Sequence, residues 1–432
     1  MAALSETSAD FFSSNSRKIS QTRRLAAFFL IVVLTFSSEM GRAVLYNNDR
    51  FGGPQIEAFR TIYAIGRFAA SGLVILLFLY LRPQHVRIPF TLLIFCAYCL
   101  VSIVWSQYPI STLQRAAEAV IILTAVAVAV RELGLSASLD AIFRYFAIAI
   151  GLGVLVSLLA PEIGVHGISD MTDLSLVGSW RGAYIHKNIF APVVLLAIGM
   201  VWSRVALPKL ALLPRLVLLA VMLFVLVKVA SATSLAALPV YAGTYFLARR
   251  MSRGWAVMTT ILVAVTIWFV IANYEREILG LLGRSTTFSG RTYIWALWMR
   301  MAGDYPLFGH GFGVSTQDEI RQFSIRALFP SAVHAHSGYI DMYFNLGLVG
   351  TILFVAVCFH AAIRSLKILP ARNNMAAYLY SSIIAMMFLA LADVTVFGFS
   401  SQHGALFVAF LLLALNASGP TGPAAQSGTI RR

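Results

Sequence analysis

Apolar residues in this chain come in runs separated by short connections rich in arginine and lysine. The runs lie near 25–38, 56–81, 88–105, 115–131, 142–160, 189–203, 212–230, 235–248, 255–272, 338–360, 376–398 and 403–417. A helix needs roughly 20 apolar residues to cross the hydrocarbon core of a bilayer, and most of these runs approach that length. Inside a bilayer every backbone polar group must be satisfied within the segment, which favours helices over open strands. The pattern therefore predicts an all-α, polytopic integral membrane protein with about twelve transmembrane helices. The pair 212–230 and 235–248 is the least secure part of that count, being short and closely joined.

The connections give the chain a direction. Arg17, Lys18, Arg23 and Arg24, then Arg82 with Arg87, Arg131, Arg204 with Lys209 and Arg215, Arg249 with Arg250 and Arg253, Arg364 with Lys367 and Arg372, and Arg431 with Arg432 fall on one side if the runs alternate. Basic short loops mark the cytoplasmic side, so both termini are expected there. This predicts a disordered cytoplasmic tail over 1–22, a membrane domain over 23–417 and a second cytoplasmic tail over 418–432. Arg23 and Arg24 before an apolar run resemble the start of a signal peptide, but the many later spans favour a retained first helix. Two longer loops, about 161–188 and 273–336, fall on the opposite side and predict a periplasmic face. No internal repeat is evident.

Composition agrees with this picture: 59% of residues are hydrophobic and 12% charged, against about 25% charged in a soluble domain. The formal charge of +15 does not point to nucleic acid, because the basic residues sit in short inter-helix connections. Cys96 and Cys99 are three apart, but no second pair accompanies them, so they read as packed core. Cys358 stands alone. Arg67 and Glu118 are ionisable residues in apolar runs; they either pair with each other or line a substrate groove.

Candidate chemistry gathers in the long loops. His336 closes the second loop and opens an apolar run; on a continuous helix His336, Tyr343, Gly347 and Gly350 share one stripe, with Asp341 and Asn345 turned away. Ser289 is a candidate N-cap for a short amphipathic helix lying at the membrane interface, anchored by Trp295 and Trp298. Arg291 would sit at its start with Arg284 upstream; both suit phosphate, and both equally suit lipid headgroups or Glu275 and Glu277. The glycines of 309–313 permit a tight loop with exposed amides, without the strand and helix of a dinucleotide fingerprint. His334 and His336 are too few and too close in sequence for a metal site, and no metal is expected. In the first loop Arg181, His186 and Lys187 lie on the same side as Arg291 and His336, so all five have the opportunity to converge.

These residues carry a resemblance. His336-Ser337, nine residues, then Gly347 and Gly350, together with Trp180-Arg181-Gly182 to His186-Lys187-Asn188, Ser289-Gly290-Arg291 and Pro306 to Gly311, resemble the O-antigen ligase and polysaccharide polymerase superfamily. The likeness spans roughly 95–415 and is greatest to the ExoQ-type exopolysaccharide production proteins of Gram-negative bacteria. It implies a glycosyltransferase of the inner membrane that needs neither metal nor cofactor and works at the periplasmic face. The donor it implies is an oligosaccharide carried on undecaprenyl diphosphate, with membrane lipids, a chain-length regulator and export proteins as further partners. A polymerase would pass the growing chain to a new lipid-linked repeat unit; a ligase would pass it to lipid A–core. By the same resemblance Arg291 and Arg181 would hold the diphosphate, with Arg284 as a third. His336, with a reference pKa near about 6.5, would take the acceptor's proton. His186, Lys187 and Tyr343 would orient substrate. A transporter of lipid-linked sugar is the remaining alternative, and would need a polar path across the bilayer.

Overall fold

A computed structural model describes residues 21–45, 54–81, 88–168, 176–266, 291–327, 334–368, 373–394 and 403–416. The predicted tails therefore lie outside the described residues, apart from residues 21 and 22, which are helical. Helices dominate. In chain order they are α1 (21–37), α2 (Pro54–Leu81), α3 (Phe90–Val101), α4 (Pro109–Leu159), α5 (Lys187–Trp202), α6 (Leu212–Val229), α7 (Ala232–Arg250), α8 (Arg253–Thr266), α9 (Arg291–Ala302), α10 (Asp318–Ala327), α11 (Gly338–Ile368), α12 (Asn374–Leu389) and α13 (Gly404–Asn416). Among the described residues there is no strand, only one isolated antiparallel bridge between Val165 and Trp180. The fold is all-α, as the apolar pattern predicts. By length and composition alone α4, α6 and α11 suffice to cross a membrane, while α3, α5, α8, α12 and α13 are shorter apolar helices.

Burial separates an inner layer from an outer one. All residues of α5 from Ile189 to Val201 are buried, as are those of α13 from Gly404 to Leu415. A helix apolar on every side belongs at the centre of a bundle. In contrast α6 buries Leu219, Met222, Val225, Leu226 and Val229 on one side and exposes Leu213, Leu216, Val217, Val221 and Phe224 on the other. In α8 Trp255, Met258, Leu262 and Val265 are similarly exposed. Exposed apolar faces of this extent need lipid rather than water.

Two long helices are broken, and both breaks are at glycine. In α4 Gly134 has φ 72° and ψ 178°, so the runs 115–131 and 142–160 are separate helical pieces. In α11 Gly347 has φ 64° and ψ −167°, a conformation essentially closed to residues with a Cβ. The stripe predicted for His336, Tyr343, Gly347 and Gly350 therefore does not exist. His336 lies outside the helix in a left-handed conformation, φ 49°, and Gly347 ends one helical piece and begins another. Gly350 does admit a neighbour: a Cβ there would stand 2.9 Å from the Tyr98 ring.

Arg67 of α2 and Glu118 of α4 form a buried ion pair, and Arg115 donates to the second Glu118 oxygen at 3.2 Å. The pairing alternative for these residues is the one realised. Removing one partner leaves a buried charge uncompensated, which costs about 3–5 kcal/mol. Glu118→Ala is expected to lower the detergent-solubilised melting temperature, and the double change Arg67→Met/Glu118→Leu to recover most of the loss. A single variant as stable as the parent would show that the pair contributes little.

Candidate functional site

The loop before α5 is folded back on the end of α4. A single helical turn, Pro161–Gly164, is followed by the Val165–Trp180 bridge. Its two sides are tied by His166 N–H donating to the Ser179 carbonyl and Gly178 N–H to the His166 carbonyl, both at 2.9 Å. Arg181 and Gly182 donate their N–H groups to the Gly164 carbonyl at 2.8 and 3.0 Å. The Arg181 guanidinium follows the backbone: Nε donates to the Ile163 carbonyl at 2.6 Å and Nη2 to the Glu162 carbonyl at 3.4 Å. This side chain thus secures the carbonyl end of the short turn.

The same fold brings two imidazoles together. His186 is the N-cap of α5, its Nδ1 accepting the Asn188 N–H at 3.1 Å. His166 Nε2 faces the Lys187 N–H at 3.3 Å, and the two ring centroids are 5.3 Å apart. Lys187 Nζ donates to Ser179 Oγ at 3.2 Å and to the Ala230 carbonyl at 3.1 Å, at the C-terminal end of α6 where a cation is favoured. Within α5, Pro192 removes the N–H that would pair with the Asn188 carbonyl. Fully buried His403 lies against the backbone of Asn188 and Ile189 at that point.

The second half of the site is built around the break in α11. The helical break leaves the Phe344 and Asn345 carbonyls and the Leu348 and Val349 N–H groups without helical partners. The loop after α9 supplies all four: His310 and Gly311 N–H groups donate to Phe344 and Asn345 at 3.0 and 2.9 Å, and Pro306 and Leu307 carbonyls accept from Leu348 and Val349 at 2.9 and 3.1 Å. The close approach needs Gly309, at φ 71°, where a Cβ would run into the Asn345 backbone. Of the amides expected to be exposed in this loop, those of His310 and Gly311 are engaged with α11, that of Gly309 with the Tyr305 carbonyl and that of Phe312 with Ser102 Oγ. Asn345 ties the loop further, accepting the Ser315 N–H at 2.9 Å and donating to Ser315 Oγ at 2.9 Å and to Asp341 Oδ2 at 3.1 Å.

Helix α9 lies on α11. Ile294, Trp298 and Ala302 are buried, and the Trp298 ring meets Phe344 edge-on with centroids 5.0 Å apart. Trp298 is therefore core rather than the interfacial anchor its residue type suggested. Tyr343 packs at the margin of this apolar cluster. Ser289 and Arg284 lie outside the described residues. Arg291, the first residue of α9, is held at the edge of the cluster and next to the histidines.

Before α11 the chain places His334 and His336 with ring centroids 3.9 Å apart, the His336 N–H donating to His334 Nδ1 at 3.2 Å. The start of α11 is pinned by Gly338 N–H donating to the Ala390 carbonyl at 2.8 Å. The two halves of the site then meet. His186 is within electrostatic range of His166, Lys187, His336 and Arg291; His334 is within range of His336, Arg321, His186 and Arg291. Burial, reinforced by those like charges, pushes the His186 pKa down to about 3 and that of His334 well below its usual value. Asp341 faces Arg321. Among the described residues four imidazoles, Arg291, Arg321 and Lys187 therefore surround one region, with Asp341 near Arg321, and such an excess of cations favours an anion. Of the residues expected from the sequence, His186, Lys187, Arg291 and His336 come together, while the Arg181 guanidinium is bonded to the turn beside them. His166 and Arg321, which had not been expected, and His334, which had been considered only as a metal ligand, complete the group. Among the described residues no three His, Cys, Asp or Glu side chains are arranged to hold a metal ion.

Residues 216–355 match the family described as O-antigen ligase. That stretch of the chain is similar to the O-antigen ligase family. The matched stretch holds α11 as far as residue 355, including its break at Gly347, with the glycine loop, Arg291, Arg321, His334 and His336, and leaves the 161–187 half of the site outside it. No curated protein gives a significant match. The likeness over 216–355, joined to the apolar helices, points to an integral membrane protein and supports a glycan-processing function.

Proposed function

We propose that the protein polymerises oligosaccharide repeat units carried on polyprenyl diphosphate, at the periplasmic face of the inner membrane. The observation that carries this reading is the meeting of Arg291, Arg321 and Lys187 with His336 and its neighbouring histidines. In the proposed topology about twelve helices cross, both termini are cytoplasmic and loops 161–188 and 273–336 share the far side. The electrostatic proximity of His186 from one loop to Arg291 and His336 from the other supports that shared side.

In this reading the acceptor hydroxyl attacks the anomeric carbon while the bond from that carbon to the diphosphate oxygen breaks. The electron pair leaves on the polyprenyl diphosphate, and Arg291, Arg321 and Lys187 stabilise the charge that develops there. His336 takes the hydroxyl proton. Arg181 holds the turn that carries His166 against the start of α5. The surrounding helices keep the prenyl chain beside the site, so that donor and acceptor meet in a fixed orientation. His336→Gln is expected to reduce transfer by about 10²–10⁴-fold at unchanged membrane abundance, and near-normal transfer would remove His336 from the mechanism.

A ligase is the second reading, favoured by the family matched at 216–355. The surface glycans of a deletion strain separate the two. Loss of secreted high-molecular-weight polysaccharide, with single repeat units accumulating and lipopolysaccharide intact, supports polymerase. Loss of long lipopolysaccharide bands, with polymer still built on its carrier, supports ligase.

A further inference from the structure

Three imidazoles of the site are held by backbone N–H groups through one ring nitrogen each: His166 through Nε2, His186 through Nδ1 and His334 through Nδ1. A nitrogen that accepts a hydrogen bond carries a lone pair and no proton. In the neutral ring the proton must then lie on the other nitrogen, which is Nε2 in His186 and His334. Among the described residues no protein group bonds Nε2 of either ring, and both side chains are only partly buried. The cations around them are Lys187 and Arg291 beside His186, and Arg321 and Arg291 beside His334, with His166 and His336 as the remaining titratable neighbours.

Resting on the anion-binding reading above, we propose that His186 and His334 are neutral ligands of the donor's diphosphate, each donating Nε2–H to a phosphoryl oxygen. Their backbone bonds fix both the tautomer and the ring orientation, so no reorganisation is needed when the anion arrives. The cations supply the charge, while these two rings supply directed hydrogen bonds that do not change as pH falls toward the ordinary histidine range. The low pKa values of both rings agree with this division of labour. Proton transfer is thereby left to His336, and the diphosphate is held by groups that do not compete for the proton.

The test uses the full chain in lipid nanodiscs, with farnesyl diphosphate as the probe. In ¹⁵N-histidine spectra, assigned with His186→Gln and His334→Gln, both rings are expected to show one protonated and one bare nitrogen from pH 5.5 to 8.5. The protonated signal is expected to shift on adding the probe. His186→Ala and His334→Ala are each expected to weaken binding about tenfold, whereas the glutamine variants, which keep a donor near the Nε2 position, stay within about threefold. Doubly protonated rings in that pH range, or alanine variants that bind as tightly as the parent, would overturn the inference alone. If the parent protein binds no farnesyl diphosphate, the anion-site reading fails and the inference fails with it.

Discussion

Arg291→Ala is expected to lower glycan transfer by about 10²–10³-fold while leaving the amount of protein in the membrane unchanged. Arg291 opens α9, whose apolar side chains Ile294, Trp298 and Ala302 fix the helix on α11 without its help. Removing the guanidinium should therefore spare the fold. Its loss takes a permanent cation from the point where His186 and His334 converge, and where the leaving diphosphate would develop charge. Arg291→Lys is expected to recover part of the activity, because the charge returns without the forked geometry that grips two oxygens. The measurement is the initial rate of transfer in membrane vesicles, normalised to immunoblotted protein. Equal rates for Arg291→Ala and the parent would exclude Arg291 from the site.

The largest effect on folding is expected at Gly347. Its backbone angles belong to a region essentially restricted to glycine. A Cβ there would also collide with the Leu307 carbonyl and the Phe308 nitrogen. Gly347→Ala must either strain the break or close it, and closing it releases the four hydrogen bonds by which the 306–311 loop is held. A loss of more than about 4 kcal/mol is expected, seen as absence of a monodisperse detergent-solubilised species. Gly243→Ala is the control: that glycine lies within α7 and a Cβ there meets nothing within 4 Å. The control is expected to fold as well as the parent. A well-folded Gly347→Ala protein would mean that α11 does not depend on its break.

Much of the fold was legible because it rests on length and apolar content, which a linear sequence displays directly. Each apolar run carries a helix, and Arg67 with Glu118 announced themselves as charges in apolar surroundings that need partners. The α11 break was not legible: Gly347 and Gly350 read as a close-packing stripe, and only the loop from 306 to 311 determines that the helix opens there. Trp298 misled for a related reason. Tryptophan suits both a membrane interface and a core, and the choice depends on Phe344, forty-six residues away.

The site divides along the same line. Arg291 and His336 were visible as chemistry at a loop–helix boundary, and so were His186 and Lys187. The resemblance assigned Arg181 and Arg291 to the same diphosphate; the 161–164 turn takes up the Nε and Nη2 of Arg181, a bond that only the fold displays. His166 reaches the site only through the Val165–Trp180 bridge, a pairing across an interval that no local pattern announces. His334 was seen but weighed only as a metal ligand. Arg321 sits in a polar helix whose composition suggests nothing beyond solvent.

The most direct measurement is transfer by the purified protein in nanodiscs, supplied with polyprenyl-diphosphate-linked repeat units as both donor and acceptor. The account predicts a ladder of lengthening glycans still attached to the lipid diphosphate, with free polyprenyl diphosphate released in step, and no ladder from Arg291→Ala or His336→Ala. Unextended repeat units with the parent protein, and polymer transferred only when lipid A–core is added to a preformed chain, would contradict the polymerase assignment.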